Sequence, residues 1–391
     1  MDIEALIRSP VGQLIPIQGT DARHGPFACF AFLPHPLPDQ IPPLNPTTWT
    51  SVTEAASALA RLDQACGQLA NPGLLINPAL YREALDTSAL EGTYGQLADV
   101  LEAELPGSHF PSPEVAEIQG YVRIARWAFE EVKKRPITVG LLSEIQNGLF
   151  RDAADPPRDL GRVRKHQVWI GPKDSPIDKA RFVPPPGDDR LQAGMDAWEQ
   201  WVGIDHALPA ILLAALAHYQ IETLHPFGDG NGRIGRLVIV LQLLRAGAIS
   251  SPAVTVSPWF LERRDQYQEK LLRVSSTGDW DSWVQFFCAA IVDQCGSLVR
   301  GAEQLTTWLH QTRAELNRNR WTGEIYHLVD RLTEWPVISI AFVANTHNVT
   351  AMTATRMVNH LQEIGVLREL TGRSYGRVFG AVEVMRIVDE I

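Results

Sequence analysis

The feature that most constrains the fold is a glycine-rich turn between two apolar helical segments, in the stretch LHPFGDGNGRIGRLVIVLQLL at residues 224–244. The segment before the turn, AILLAALAHYQIETL, holds a single charged residue. The segment after it, residues 232–246, is apolar almost all the way round a helix. A helix without a polar face belongs in the centre of a bundle. The sequence therefore predicts a mainly α protein built around this helix pair.

The turn collects groups that bind anions. Its glycines let the backbone turn sharply and present N–H groups without side-chain obstruction, and they are Gly228, Gly230, Gly232 and Gly235. A helix that starts near Gly232 directs its free N–H groups and positive dipole end at the same turn. Arg233 and Arg236 add two cations on the first turns of that helix. Together these features predict a polyphosphate site.

Two side chains of the turn supply further chemistry. Asp229 offers a hard oxygen ligand suited to Mg²⁺. His225 is suited to accept a proton near neutral pH, which is worth roughly 10²–10⁴-fold in rate for a general base. A base, a metal ligand and an anion site suit the attack of a hydroxyl on a nucleotide phosphate. The non-catalytic alternative is a helix-capping loop with a core histidine.

Other nucleotide-binding motifs fit less well. Gly230, Gly232 and Gly235 match the dinucleotide-binding spacing, but that motif follows a strand, and here a helical segment precedes. The chain has no phosphate-binding G-x-x-x-x-G-K-[ST] sequence and no protein-kinase set.

Residues 225–236, HPFGDGNGRIGR, resemble the HPFx(D/E)GNGRxxR motif of the Fic family, nucleotidyltransferases that act on protein hydroxyls. The resemblance implies a Fic-type helical bundle that transfers AMP from ATP to a Ser, Thr or Tyr hydroxyl of a target protein or of itself. It implies that His225 deprotonates the hydroxyl, that Asp229 holds Mg²⁺ and that Arg236 reaches the γ-phosphate. The nucleotide-binding residues of the motif would be Gly230, Asn231, Gly232, Arg233, Ile234, Gly235 and Arg236.

A second segment, RVRKHQVWIGP…ARFVPPP near residues 162–186, resembles the Fic flap. Its alternating runs predict a small β-hairpin. The resemblance implies that the hairpin edge pairs with the backbone of the target, and the docking residues would be Val168, Trp169 and Ile170. A surface hairpin with these three side chains buried is compatible with that role.

A third segment, Thr87-x-x-x-Glu91-Gly92, resembles the (S/T)xxxE(G/N) motif of the Fic inhibitory helix. The resemblance implies that Glu91 pairs with Arg236, occupies the place of the γ-phosphate and makes the enzyme autoinhibited. By itself the pattern is typical of many helix ends.

The adenine subsite is predicted from position alone. Ile221 lies one helical turn before His225 and could pack on the base. Trp259 and Glu262 are three residues apart on a helix face and offer a stacking surface and an acceptor for the adenine amine. Tyr267 is a further candidate. A core Trp259 and a solvated Glu262 explain the pattern equally well.

Changes in proline content and in the helical pattern along the chain predict three regions. Residues 1–105 combine an extended, proline-rich strap with helices that include the inhibitory helix. The strap is expected to lie across the protein surface. Its prolines are Pro34, Pro36, Pro38, Pro42, Pro43 and Pro46. Residues 106–315 form the catalytic core with its flap. Residues 325–391 have a helix–turn–helix pattern followed by a hairpin, which predicts a winged-helix module.

Charge argues against a protein that coats nucleic acid or anionic membrane, because 35 basic and 45 acidic residues give a net charge of −10. The excess of basic residues within 341–380 is small, so protein docking or dimer support is favoured over DNA binding for the tail, and a homodimer stays open. Residues 206–221 are too short to span a bilayer comfortably, and the N-terminus lacks a secretory pattern. We expect a cytoplasmic protein with reduced cysteines and no membrane partner.

Two alternative functions stay open. The same scaffold could remove AMP, with Glu91 orienting a water molecule, or could transfer another nucleotide. An alternative of a different class is a DNA-binding regulator whose Fic-like core senses nucleotide.

Overall fold

The computed structural model describes residues 1–38, 42–69, 71–107, 111–153, 156–172 and 174–391. These residues form many helices and few, short strands, which confirms the prediction of a mainly α fold. The helices, in chain order, are α1 Ile3–Leu6, α2 Pro46–Gln68, α3 Gly73–Leu90, α4 Leu97–Glu102, α5 Pro113–Val132, α6 Val139–Leu149, α7 Asp189–Gly203, α8 Ala210–Leu224, α9 Asn231–Arg245, α10 Ser257–Glu262, α11 Arg264–Thr277, α12 Trp280–Arg318, α13 Ile325–Glu334, α14 Ile340–Thr346, α15 Ala351–Glu363 and α16 Val382–Asp389.

The described residues form two compact units, each assembled from separate stretches of the chain. The first unit comprises Met1–Ser57, Arg123–Ser250 and Trp259–Val292, and the second comprises Ala58–Val122, Ser251–Pro258 and Asp293–Ile391. The strands are β1 Gly12–Asp21 and β2 Gly25–Pro34 in the first unit, and β3 Val337–Ser339, β4 Arg368–Glu369 and β5 Val378–Gly380 in the second.

Helices α8 and α9 form the centre of the first unit, as their composition predicts. Nearly all of their residues are buried. Two tryptophans on neighbouring helices donate indole N–H bonds to carbonyls of α8, Trp198 to Ala217 at 3.1 Å and Trp283 to Ala215 at 2.9 Å. Because these donors would be unsatisfied elsewhere in an apolar core, the bonds fix where the helices pack. Two helices, α7 and α8, precede the turn.

An antiparallel hairpin, β1–β2, occupies the start of the chain, where the sequence predicted only a strap and helices. Its strands pair from Gly12 with Pro34 to Asp21 with Gly25. Apolar side chains of β2 pack on residues of the flap region, with Ala31 in one cluster and Phe32 in another. The predicted proline strap therefore begins within a strand, since Pro34 ends β2, and Pro46 is the first residue of α2. Residues 39–41 of the strap lie outside the described residues.

Helix α3 begins before the Asn77-Pro78 pair, although proline favours the first turn of a helix. It starts at Gly73 and includes Pro78 in its interior. Proline lacks the N–H that would bond the carbonyl one turn earlier, so the helix tolerates one missing bond here. Apolar packing outweighs this loss, because Leu75, Ala79 and Leu80 are all buried.

The end of the second unit has the order α13, β3, α14, α15, β4, β5, α16, with a three-stranded sheet in the order β3-β5-β4. Both partners of β5 run antiparallel to it. The winged-helix assignment for residues 325–391 stays a prediction.

Among the described helices, α12 is long and apolar enough to cross a membrane by length and composition. Of its most apolar window, 56% is buried inside the fold, as in the core helix of a soluble protein, so this property is weak support for a span. Cys288 and Cys295 are buried on this helix, and burial raises the pKa of each thiol to about 12.

Candidate active site

The turn between α8 and α9 reverses the chain through two residues in the left-handed region. His225 caps α8 with φ 49° and ψ 61°, and its N–H bonds the carbonyl of Ile221 at 2.9 Å. Gly230 precedes α9 with φ 81°. A Cβ at Gly230 would lie 2.9 Å from Cε2 of Phe150 and 3.0 Å from Cδ2 of Leu149, so only glycine fits without displacing these side chains.

Asn231 closes the turn on itself. Its Oδ1 accepts from the N–H of Phe227 and its Nδ2 donates to the carbonyl of Phe227, both at 2.8 Å. Phe227 is fully buried and anchors the turn. Both polar atoms of the Asn231 side chain are hydrogen-bonded to the backbone of the turn. The group of this residue that is suited to contact a phosphate is therefore its main-chain N–H.

The start of α9 has the groups that the predicted anion site requires, and binding of a phosphate there stays a prediction. In any helix the N–H groups of the first turn lack intrahelical acceptors, and here they belong to Asn231, Gly232 and Arg233. The Arg233 and Arg236 side chains are each 2% exposed, and the Arg233 guanidinium lies over the Phe150 ring, 5.0 Å from its centroid. Buried cations beside a helix N-terminus favour a bound anion.

Asp229 differs from the rest of the turn in being exposed, with 63% of its side chain accessible. Its Oδ1 accepts from the N–H of Gly230 at 2.6 Å and lies 3.8 Å from Nη2 of Arg233. No group of three or more His, Cys, Asp and Glu suited to a metal occurs in the described parts of the chain. One exposed carboxylate fits Mg²⁺ that takes its other ligands from phosphate and water.

His225 has a geometry suited to a general base. Its Nδ1 lies 3.3 Å from the carbonyl oxygen of Glu222. In the tautomer that uses this contact, Nδ1–H donates to the carbonyl and Nε2 carries the lone pair that accepts a proton. The side chain is partly exposed.

Sequence reasoning missed Arg164, the residue that joins the flap region to the turn between α8 and α9. The Arg164 side chain is buried, and its guanidinium donates to four main-chain carbonyls of the described residues. Nε bonds His225 at 2.8 Å, Nη1 bonds His166 at 2.8 Å, and Nη2 bonds Pro185 at 2.6 Å and Leu224 at 3.3 Å. Its backbone N–H bonds the carbonyl of Pro226 at 2.9 Å. Desolvation lowers the pKa of Arg164 to about 10, so it stays charged at neutral pH. In the sequence, Arg164 stands in the basic run RVRK, and an arginine in such a run is expected on the surface.

His166 was also missed, and it packs beside the turn. A Cβ at Gly228 would lie 3.3 Å from Cε1 of His166. The Nδ1 atom of His166 is 2.9 Å from Oδ2 of Asp159. Bonds from the Lys165 N–H and from His166 lower the pKa of Asp159, which keeps this carboxylate ionised.

Tyr267 and Gly235 belong to the core behind the turn. The hydroxyl of Tyr267 bonds Nε2 of the fully buried His218 at 2.8 Å, and Nδ1 of His218 bonds the carbonyl of Gly235 at 3.0 Å. Burial lowers the pKa of His218 to about 3, so the imidazole is neutral, donating to Gly235 and accepting from Tyr267. A Cβ at Gly235 would collide with Oε1 of Glu222. Gly235 thus serves helix packing, and Ile234 beside it is buried.

The predicted adenine residues have other contacts. The Arg263 guanidinium lies over the Trp259 ring, 3.4 Å from its centroid, and Nη1 of Arg263 bonds Oε2 of Glu262 at 2.7 Å. The Glu262 side chain is 72% exposed and Ile221 is buried. An adenine-binding role for Ile221, Trp259 and Glu262 stays a prediction.

The flap contains less regular structure than predicted. One bridge joins Ile170 and Phe182, with the N–H of Ile170 donating to the carbonyl of Phe182 at 2.9 Å. The Trp169 indole bonds the carbonyl of Ser175 at 2.9 Å and packs with the cluster around Ile177. The flap also joins the N-terminal hairpin, since the N–H of Phe32 bonds the carbonyl of Val183 at 2.8 Å.

The predicted inhibitory motif forms the C-terminus of α3 in the second unit. Thr87 is buried, Glu91 caps the helix, and Gly92 follows with φ 94°, as is common after a helix end. The carboxylate of Glu83 on the same helix accepts from the N–H groups of Val256 at 2.9 Å and Ser257 at 3.0 Å, which anchors α3. The pairing of Glu91 with Arg236 stays a prediction.

Comparison with known proteins identifies the family. Residues 49–130 match the family model for the Fic/DOC family N-terminal region, and residues 136–243 match the Fic/DOC family model. The chain belongs to the Fic family. The second match contains the whole turn, whereas hairpin β1–β2 precedes both Fic matches.

Among curated relatives, the Drosophila virilis protein adenylyltransferase Fic is 28% identical over 255 residues, which are 63% of this chain and 48% of the relative. The Drosophila ananassae protein of the same name is 29% identical over 215 residues, 53% of this chain and 39% of the relative. The chain thus spans less than half of these curated Fic relatives.

Two solved structures share the Fic fold. A Fic family protein from Desulfovibrio desulfuricans superposes with a TM-score of 0.55 at 20% identity over 89% of this chain and 98% of that one. Fic-1 from C. elegans superposes with a TM-score of 0.50 at 20% identity over 66% of this chain and 74% of that one.

Proposed function

We propose that the protein is a protein adenylyltransferase that transfers AMP from ATP to a Ser, Thr or Tyr hydroxyl of a target protein or of itself. The observation that carries the proposal is the position of the His225 imidazole at one end of a six-residue turn whose other end is the anion-binding start of α9. The names of the curated relatives support the same activity.

In the proposed reaction, Nε2 of His225 accepts the proton of the target hydroxyl as its oxygen bonds the α-phosphorus of ATP. The bond from the α-phosphorus to the oxygen bridging to the β-phosphate breaks, and pyrophosphate leaves with the electron pair. The N–H groups of α9 and the Arg233 and Arg236 guanidiniums stabilise the charge on the phosphates. Asp229 would hold Mg²⁺, which neutralises further phosphate charge.

Target docking is proposed at the flap edge. The backbone of Ile170 bonds Phe182, and successive residues of an extended chain direct their N–H and C=O groups to opposite sides. The backbone groups of Trp169 therefore point to the other edge, where a target strand could pair with them.

Autoinhibition through Glu91 is part of the proposal, with removal of AMP by the same residues as its alternative. The test is incubation with ATP labelled on the α-phosphate and Mg²⁺. We expect Glu91→Gly to raise protein labelling over wild type and His225→Ala in the Glu91→Gly background to abolish it. Equal labelling of all three proteins would contradict the assigned roles. Release of AMP from a purified AMP-modified protein would favour the alternative.

The DNA-binding alternative has less support. Arg373 follows β4 in the predicted wing, but its Nη1 bonds Oε1 of Glu102 at 2.8 Å. A cation already paired with a carboxylate contributes less to phosphate binding. A gel-shift measurement at physiological salt would revive the alternative if a duplex were bound tightly.

A further inference from the structure

A groove of about 860 Å³ lies between the N-terminal hairpin and the flap, within the first unit. One wall is a continuous run of β1 and the turn after it, residues 16–23. The other wall is formed by residues 165–167 with Trp169 of the flap, and by residues 186–188 with Arg190. The groove reaches the catalytic turn, because His166 on its wall packs against Gly228. Hairpin β1–β2 precedes both Fic family matches, so this wall is not part of the matched regions.

The groove is basic in a chain whose net charge is −10. Four cations line it, Arg23, Arg158, Lys165 and Arg190, against two carboxylates, Asp21 and Asp188. Both carboxylates already bind donors of the protein. Asp21 accepts from the N–H groups of Arg23 and His24, and Asp188 pairs with the Arg190 side chain.

Arg158 and Lys165 are the cations that remain for a partner. Both are exposed, and neither forms a salt bridge within 4.0 Å of a carboxylate of the described residues, although the charge of Lys165 acts on Asp159 at longer range. Their positions on the flap side of the groove place a local positive potential next to the site of reaction.

The edge of β1 along the groove can pair with another strand. The N–H of Phe32 on β2 points away from β1 and bonds Val183. Phe32 lies opposite Leu14 of β1, so the two form a pair without hydrogen bonds between them. The backbone groups of Leu14 therefore point away from β2. The same row of β1 contains Pro16 and Gln18. Pro16 has no N–H to lose, and no backbone bond on that outer side joins Gln18 to another described residue.

We propose that this groove binds an extended, acidic segment of the target protein, which pairs with the outer edge of β1 and places its carboxylates near Arg158 and Lys165. The proposal rests on the proposed function and names the chemistry of its substrate. Positive charge selects acidic segments, and the strand edge selects extended ones.

The test uses the full-length protein without ATP and a short fluorescein-labelled peptide of alternating Glu and Thr. Fluorescence anisotropy should show saturable binding that falls steeply as salt rises. A peptide with Gln in place of Glu should bind about tenfold more weakly. Arg158→Glu/Lys165→Glu should weaken binding of the acidic peptide by about the same factor. The control Arg61→Glu/Arg245→Glu reverses two exposed cations away from the groove and should bind as wild type does.

A backbone test separates strand pairing from charge attraction. Gln18→Pro removes one outward N–H without removing a hairpin bond, whereas Gln18→Ala keeps that N–H. The first variant should weaken peptide binding and the second should not. Equal binding of the Glu and Gln peptides, or equal loss in the control pair Arg61→Glu/Arg245→Glu, would overturn the proposal.

Transfer of label to the Thr-containing peptide separates this proposal from the proposed function. In the Glu91→Gly background, Arg158→Glu/Lys165→Glu should raise the KM for the peptide with little change in kcat. If the enzyme labels protein but transfers label equally well to the Glu and Gln peptides, the groove proposal alone is overturned. Peptide binding with no transfer of label to protein or peptide would overturn the proposed function, and with it the substrate role of the groove.

Discussion

The guanidinium of Arg164 holds the carbonyl oxygen of His225, with Nε donating at 2.8 Å. Through its other donors the same group holds the carbonyls of Leu224 and Pro185. One buried side chain therefore fixes the backbone on which the proposed base is mounted, and joins it to the end of the flap. We regard Arg164 as a positioning residue of the site.

Replacing Arg164 by Lys should impair both stability and catalysis. Lysine keeps the charge but cannot present a planar fork to several carbonyls, so buried acceptors lose their donors. We expect a loss of about 3 kcal/mol in the free energy of unfolding and a fall of about 10²-fold in kcat in the Glu91→Gly background. Urea unfolding and labelled-ATP transfer measure the two effects. Arg162→Lys, an exposed neighbour, is the control, and a matching loss there would refute the assignment.

Asn231→Ala should loosen the turn. The variant removes both bonds to the buried backbone of Phe227, which we expect to lower the free energy of unfolding by about 1–3 kcal/mol. Binding of ATP, followed by calorimetry, should weaken as well, because the start of α9 loses its fixed geometry. Asn319→Ala, at an exposed position, should change neither quantity. Unchanged ATP affinity in Asn231→Ala would show that the turn keeps its shape without this side chain.

Gly235→Ala should destabilise the protein even though alanine is the better helix former. The added Cβ meets Oε1 of Glu222, and overpacking of this kind costs about 1–3 kcal/mol. Shortening the opposing side chain in Glu222→Ala/Gly235→Ala should recover much of the loss, which a double-mutant cycle would measure. Gly67→Ala in α2 meets no atom within 4 Å and should be neutral or stabilising by about 1 kcal/mol. Additive effects in the cycle would rule out the proposed collision.

Acid should destabilise the fold through His218. Its pKa is about 3 in the folded protein against an ordinary 6.5, so the unfolded chain binds a proton that the folded protein does not. This contribution to the free energy of unfolding is fully present above pH 6.5 and is lost as pH falls toward 3. At pH 5 the loss is about 2 kcal/mol. His218→Gln should flatten the pH dependence of unfolding between pH 7 and 5. A wild-type slope retained in His218→Gln would exclude this origin.

The glycine-rich turn between α8 and α9 could be predicted from sequence, because the roles proposed for it depend on residues that are close together in the chain. The base, the glycines, the helix start and the two arginines lie within residues 225–236, and each role follows from residue type and spacing. Arg164 could not be found in this way, since its function comes from carbonyls that are distant in sequence. The same limit applies to Tyr267, whose partner His218 is fixed only by the packing of α8.

The N-terminal hairpin escaped sequence analysis for a different reason. Pro16 interrupts the alternating pattern of β1, and proline usually argues against a strand. The structure accommodates it at an edge position, where the missing N–H would have pointed away from β2. The crowding of prolines from Pro34 onward then obscured where β2 ends.

The closed turn at Asn231 has one more consequence. Because its amide bonds the backbone of Phe227, the turn is held in shape by its own residues, and the proposed nucleotide site should lose little conformational entropy on binding. A site that is already formed in the free protein is not regulated by a transition from disorder to order. We therefore expect control of the proposed activity to come from a group that blocks or distorts the ATP site.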